Sequence, residues 1–312
     1  ESDGTPSGFR LPVVAGITAG GGFLFGGCGL GAAIVALEEI TERPVIWATA
    51  QYLSYARPGS VVAFDVTIGA QGRSVTQARA VGRTADTEIL TVNAALGSRP
   101  FQPEGEWATM PDAPGSDECD VRNYRCEHES VASRMEQRLA VGRPLEDLDG
   151  TPSTGNCALW ARMPEVLDMS GPALAVLGDF VPFGIGQALG LAAGGNSLDN
   201  TIRVARLEPT DWVLLDIRVL AVHGGFGHGA VLLWSETGQL LAIAHGQRQA
   251  HAGLAHDADE LRRRGIFAEV VCAFWKEEPS MSEVYAMLDA RDVYLVPNFI
   301  SEGYFCQQVL PR

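Results

Sequence analysis

Gly29-Leu30-Gly31-Ala32-Ala33-Ile34-Val35-Ala36-Leu37-Glu38-Glu39-Ile40 is a helix-length run that is apolar almost all the way round. A surface helix carries one apolar stripe, so a helix without a polar face has to be wrapped by other structure. The wrapping comes next in the chain. Residues 45–55, 60–69, 74–83 and 88–96 are rich in Val, Ile, Thr and aromatics. They are separated by the turn signals Arg57-Pro58-Gly59, Ala70-Gln71-Gly72 and Ala85-Asp86, and they predict strands. One long buried helix against a run of antiparallel strands is an α+β pattern.

The order recurs about 150 residues later. Residues 180–193 predict a second helix, ended by Gly194-Gly195-Asn196, and residues 201–207, 212–222, 229–235 and 239–244 predict the strands. Landmarks keep one offset: 209 − 58 = 151 for Pro209 and Pro58, and 240 − 89 = 151 for Leu240 and Ile89. Between the halves, residues 100–155 are polar and rich in Pro, Asp and Glu, with one helical stretch predicted at 127–139. They read as a linker. After residue 244 the period changes. A helix at 256–264, a strand at 268–275, a helix at 278–288 opened by Pro279 and Ser280, and a strand at 292–300 give the grammar of a parallel α/β sheet. Three parallel strands rarely stand alone, so this module reads as partial.

Composition removes several classes. The 312 residues are 46% hydrophobic and 20% charged, which is globular. The net charge of −15 argues against a nucleic-acid partner, whose phosphates need a basic face. The run Arg262-Arg263-Arg264 points three ways on a helix and reads as solvated surface. Residues 11–37 contain no charge, which is long enough for a bilayer span. But the stretch is dense in glycine, each costing a helix about 1 kcal/mol, and Glu38 and Glu39 follow it instead of a basic flank. It reads as a Gly-rich loop entering the buried helix, not as a membrane span. Residues 1–8 lack the basic region of a signal peptide. None of the six cysteines has CxxC spacing, so a zinc site is not expected. Cys119 and Cys126 could pair in an oxidising compartment, but dispersed single cysteines fit a reducing cytoplasm better.

Gly27-Cys28-Gly29-Leu30-Gly31-Ala32 fits GxGxxA, but no acidic residue lies among 46–55 and the following strands read as antiparallel. Dinucleotide binding is rejected, and the glycines are assigned to close packing of the helix on a sheet. Asp179 follows an apolar run and precedes the second helix, where amide groups favour a carboxylate. An Asp there is equally an ordinary N-cap. Ser197-Leu198-Asp199-Asn200 opens the next strand and is equally an ordinary turn.

Three motifs together resemble the acyl-CoA thioesterase II family: Phe25-Gly26-Gly27, Tyr52-Leu53-Ser54-Tyr55-Ala56-Arg57-Pro58, and Gly178-Asp179-Phe180 followed by Ser197-Leu198-Asp199-Asn200. The resemblance covers roughly residues 10–244. It implies a double hotdog, two helix-wrapping antiparallel sheets, with residues 1–98 as the first hotdog, 99–155 as linker and 156–244 as the second. It implies hydrolysis of acyl-CoA thioesters in fatty acid metabolism, with Asp179 and Ser197 activating a water and no cofactor. The family's third member, a Gln on the last strand, should fall on Gly246, so the triad the resemblance implies is incomplete. Gln247, one step on, points to the other face of a strand. An inactive hotdog that only binds acyl-CoA is the alternative.

A second resemblance starts where the first ends. Ala244-His245-Gly246-Gln247-Arg248, Ala273-Phe274-Trp275-Lys276-Glu277-Glu278-Pro279-Ser280 and Val296-Pro297-Asn298-Phe299-Ile300-Ser301-Glu302-Gly303-Tyr304-Phe305 are similar to the start of a sirohydrochlorin cobaltochelatase. Residues 245–312 are then a partial chelatase-like α/β segment. The family's metal-binding His maps to His245, and a divalent metal such as cobalt would be the substrate. The second His expected near Phe305 is absent. The whole reads as a fusion of the two, with acyl-CoA as partner, no nucleic acid, and self-association into a homo-oligomer left open.

Overall fold

The computed structural model describes residues 8–252, apart from residues 21, 101–103, 123–128, 165–168 and 192. The chain divides into two compact units, Glu1–His251 and Ala252–Arg312. The predicted parallel α/β segment, Arg262-Arg263-Arg264 and the cysteines at 126, 272 and 306 lie outside the described residues.

The first half contains β1 (Phe9–Pro12), helix α1 (Gly26–Thr41), β2 (Val45–Tyr52), β3 (Val61–Gln71), β4 (Val75–Thr84) and β5 (Thr87–Gly97). The second contains β6 (Glu136–Val141), β7 (Asn156–Arg162), helices α2 (Gly171–Leu177) and α3 (Val181–Leu189), β8 (Ala193–Val204), β9 (Val213–His223), β10 (Phe226–Ser235) and β11 (Leu240–Ala252). The offset of 151 read from the sequence is a structural repeat. Added to β4 (75–84) it gives 226–235, the bounds of β10. Added to β2, β3 and β5 it gives 196–203, 212–222 and 238–248, which fall on β8, β9 and β11.

The two hotdog sheets are continuous. Eleven strands run in the order β1-β3-β4-β5-β2-β8-β11-β10-β9-β7-β6, so strand order mirrors itself about the β2–β8 seam. That seam is antiparallel, and the hydroxyls of Thr49 and Thr201 meet across it at 2.7 Å. The three helices lie on one face. Leu30, Ile34 and Leu37 of α1, with Leu174 and Ile185 from α2 and α3, join the inward residues of both halves in one apolar core. Val35 and Ile40 stay exposed, so the sheet does not wrap α1 completely.

Several elements differ from the sequence expectations. Residues 180–193 are not one helix. α3 stops at Gly190, whose φ of 69° is the left-handed conformation glycine favours, and Gly194-Gly195-Asn196 belong to β8. The apolar run before Asp179 is a helix of its own, α2. Ser170 caps it by accepting from Ala173 N–H, and Pro172 sits in its first turn. The glycines of α1 serve this second helix more than the sheet: a Cβ on Gly27 would lie 2.9 Å from the Ala175 carbonyl oxygen and one on Gly31 3.1 Å from that of Pro172. The predicted helix at 127–139 is replaced, over its described part, by a 3-10 turn (Val131–Arg134) and by β6, which extends the sheet edge by pairing with β7.

β7 was hidden by its evenness. Cys157, Leu159 and Ala161 enter the main core, while Ala158 and Trp160 face the opposite side. There they join Trp212, Trp234 and Leu240 in a second apolar cluster, covered by part of the segment read as linker. Pro114 accepts from the Trp160 indole N–H at 2.8 Å, and Glu106 accepts from the Leu240 N–H at 3.0 Å. Residues 11–37 do not form one span: they hold the end of β1, a short 3-10 turn and most of α1. Gly171–Leu189 is long and apolar enough to cross a membrane, but 72% of its apolar window is buried inside the protein and the helix is interrupted between α2 and α3.

Candidate functional site

The break between α2 and α3 presses directly on β11: a Cβ on Gly178 would sit 2.8 Å from that of Ala244. The next residue, Asp179, is 2% exposed. Its carboxylate does not cap its own helix. The N-cap of α3 is Phe180, with no side-chain cap bond. Asp179 Oδ2 instead accepts the Gly27 N–H at 2.8 Å, at the start of α1. That helix has no acidic residue in its first turn and no side-chain cap, so Asp179 supplies from the other half the negative charge its amides favour. The close approach needs glycine, because a Cβ on Gly26 would stand 2.8 Å from Asp179 Oδ2.

The other carboxylate oxygen is held by a residue the sequence analysis did not select. Arg248 of β11 donates Nη2 to Asp179 Oδ1 in a short ion pair, with both side chains essentially inaccessible. Its Nη1 donates to the Asp199 carbonyl at 3.0 Å. Burial lowers the guanidinium to about 10, with the Tyr52 phenol opposing the shift, so it is charged at neutral pH. Gly246 lies two residues back on the same strand face. A Cβ there would meet Arg248 Nη2 at 3.2 Å, so the guanidinium borders the space a longer side chain at 246 would enter. Gln247 brings its backbone to the site, donating N–H to Asp199 Oδ1 at 2.8 Å. Asp199 is pushed up by partial burial, opposed by that N–H and by His228 and His245.

A small pocket of about 50 Å³ lies beside Gly26 and Gly29 of α1 and Tyr52 of β2. Phe23, Leu24, Phe25, Ile89 and Leu90 make it apolar, while Ser197, Ser54 and Tyr52 add hydroxyls. Gly26 also lines it, and that residue is the pocket's nearest approach to Asp179, with a Cβ there 2.8 Å from Oδ2. Ser197 lies on β8 instead of the turn expected before it. Burial drives the Tyr52 phenol above its usual range, against the opposing charge of Arg248.

The mirror position lacks this chemistry. With the 151-residue offset, 179 − 151 = 28, and Cys28 stands in α1 where the other half has Asp179. Burial pushes its thiol up to about 12, with Arg134 opposing. A thiol needs its thiolate to react. Native protein treated with iodoacetamide at pH 8 is therefore expected to keep Cys28 unmodified, and unfolded protein to lose that protection, as peptide mass spectrometry would read. Cys119 is a free thiol directed at the Pro114 carbonyl.

His245 is exposed and paired with Ala230, in the middle of an antiparallel strand instead of just after a strand end. Burial of part of the ring and the charge of Arg203 lower its pKa, while Asp199 raises it. Among the described residues no cluster of three His, Cys, Asp or Glu could hold a metal. His223 and His228 lie in β9 and β10, flanking the turn at Gly224 and Gly225.

Sheet and helices define a double hotdog. Residues 104–247 match the profile of the acyl-CoA thioesterase C-terminal domain. A protein from Novosphingobium aromaticivorans assigned as a thioesterase superposes with a TM-score of 0.69 and 28% identity, over 77% of this chain and 94% of that one. Acyl-CoA thioesterase II TesB2 from Mycobacterium marinum shares the fold, with a TM-score of 0.61 and 20% identity, over 74% of this chain and 90% of that one.

The C-terminal resemblance is equally plain. Residues 239–312 match the CbiX family. A protein from Halobacterium salinarum assigned as a sirohydrochlorin cobaltochelatase is 47% identical over 77 aligned positions, an alignment that covers 23% of this chain. The match spans about a quarter (26%) of that relative's length. The two profiles overlap on residues 239–247, and Arg248 is the first residue beyond the thioesterase match.

Proposed function

We propose that the double hotdog hydrolyses acyl-CoA thioesters, with a water activated between Asp179 and Ser197. The observation that carries this reading is an apolar pocket with hydroxyls on its wall and a buried carboxylate behind the glycine at its floor. The acyl chain lies along Phe23, Phe25 and Leu90, and the thioester reaches Ser197. Asp179 accepts a hydrogen bond from the water and takes its proton as the water oxygen bonds to the carbonyl carbon. The C–S bond then breaks and CoA leaves as thiolate. Arg248 donates to the Asp179 carboxylate and fixes its orientation. It also borders the space of residue 246, where the resemblance expects Gln and this chain has Gly. This chemistry needs no metal or organic cofactor.

We place this activity in the cytoplasm, from the pattern of single cysteines. The proposed organisation has hotdogs at 1–98 and 156–244 joined by a linker at 99–155 that lends β6 to the second sheet, with a chelatase-like segment from 245 whose first residues complete β11. The test is thiol release from acyl-CoAs of increasing chain length. Wild type turns over, and Ser197→Ala slows kcat by about tenfold, the loss of one orienting hydrogen bond. Binding without thiol release in wild type would leave a binding hotdog in place of an enzyme.

The C-terminal match supports a second reading, insertion of a divalent metal such as cobalt into a tetrapyrrole with His245 as metal-binding residue. Co²⁺ binding that is lost in His245→Ala would favour it, and Co²⁺ binding that persists would remove His245 from it.

A further inference from the structure

Of the eight buried side-chain polar atoms without a hydrogen-bond partner among the described residues, four belong to three residues: Tyr52 Oη, Asn200 Oδ1, Asn200 Nδ2 and Arg248 Nε. The three stand on the neighbouring strands β2, β8 and β11. The register Ala50↔Asn200 puts Tyr52 and Asn200 on one face, two residues apart along the sheet. Asn200 approaches the Tyr52 phenol without a hydrogen bond of ordinary geometry, and the charge of Arg248 acts on that phenol. Arg248 is itself tied to Asp199, the neighbour of Asn200. Buried donors are almost always paired, and an empty one is costly. Such a concentration in one place marks a position that another molecule fills.

Three of the four atoms are donors, one on a cationic group, so the missing partner is an acceptor oxygen. The site is also connected to the pocket. Tyr52 and Gly26 line the pocket, and a Cβ on Gly26 would lie 3.0 Å from Tyr52 Oη. The absence of a side chain there leaves room beside the Tyr52 phenol at the pocket wall.

We infer that Tyr52 Oη, Asn200 Nδ2 and Arg248 Nε form the binding site for the thioester carbonyl oxygen. This rests on the thioesterase reading and names the residues that recognise the ester within it. As water attacks, the C=O electron pair moves onto that oxygen, and these donors face the charge that develops. When the tetrahedral centre collapses, the pair returns and the thiolate departs.

The test uses two inert analogues of one acyl-CoA, titrated into the intact chain. In the ketone, a methylene replaces the sulfur and the carbonyl is kept. In the thioether, a methylene replaces the carbonyl and the sulfur is kept. Wild type should bind the ketone about tenfold more tightly, and Tyr52→Phe and Asn200→Ala should each shrink that ratio to about twofold without weakening the thioether. Arg248 is left unchanged because it also holds Asp179. Equal affinity of wild type for both analogues, or variants that lose both equally, would overturn the carbonyl site while leaving the pocket as an acyl-CoA site. If neither analogue binds, the thioesterase reading fails and this inference with it.

Discussion

Arg248→Met lowers the thermal midpoint by roughly 10 °C. The reason is the company Asp179 keeps. Its carboxylate is 2% exposed and its charge is met by one guanidinium and one backbone N–H. Removing one partner of a buried ion pair costs about 3–5 kcal/mol, because the remaining charge is left uncompensated in a medium that solvates it poorly. In a fold of this size each kcal/mol moves the midpoint by about 2–4 °C. Adding Asp179→Leu to Arg248→Met should recover most of the loss, since an apolar pair of similar volume replaces a buried ion pair at little cost. Differential scanning calorimetry reads both variants. A single variant as stable as wild type would mean the ion pair is not formed.

Asp179→Asn cuts kcat for acyl-CoA hydrolysis by about 10²–10⁴-fold, the range a positioned general base supplies. KM should move little, because Asp179 lies behind Gly26 and does not line the acyl pocket. The amide oxygen of Asn can still accept the Gly27 N–H, so the cap on α1 is kept. Basicity is lost, and so is the charge opposite Arg248. The kinetics therefore belong well below the variant's own melting temperature. Lost thiol release with acyl-CoA affinity within a few-fold of wild type is the expected pair of results. A loss confined to KM would instead assign Asp179 to binding.

The repeat was the legible part of the fold. An apolar helix followed by four strand-like runs, twice over at an offset of 151, is a pattern of side-chain periodicity. The seam was not legible, because nothing in the strands β2 and β8 states that they pair with each other. Nor was β6, whose residues have no counterpart in the first half. The helix pair α2–α3 was missed because a continuous apolar run hides a break made by Gly178 and Asp179, residues that a helix also tolerates.

At the site, the sequence singles out Asp179, and the structure places its carboxylate against a different helix from the one that follows it. The natural expectation for an Asp before a helix is to cap that helix. The capped helix is α1, 152 residues away in sequence. Arg248 was overlooked because the residues around it were read as the opening of a chelatase motif. Strand alternation was the available signal: Gly246 and Arg248 share a face, so a missing side chain at one can be answered from the other. β11 is thus where the two resemblances meet, and in the described residues it is a strand of the hotdog sheet carrying a chelatase-like Arg into the hotdog core.

The most direct measurement is thiol release from a saturated acyl-CoA by the intact 312-residue chain, followed with a thiol reagent against Asp179→Asn at equal concentration. Sustained turnover in wild type with only background release in the variant is the predicted result. Equal release from the two, or none above spontaneous hydrolysis in wild type, would contradict an enzyme built around Asp179.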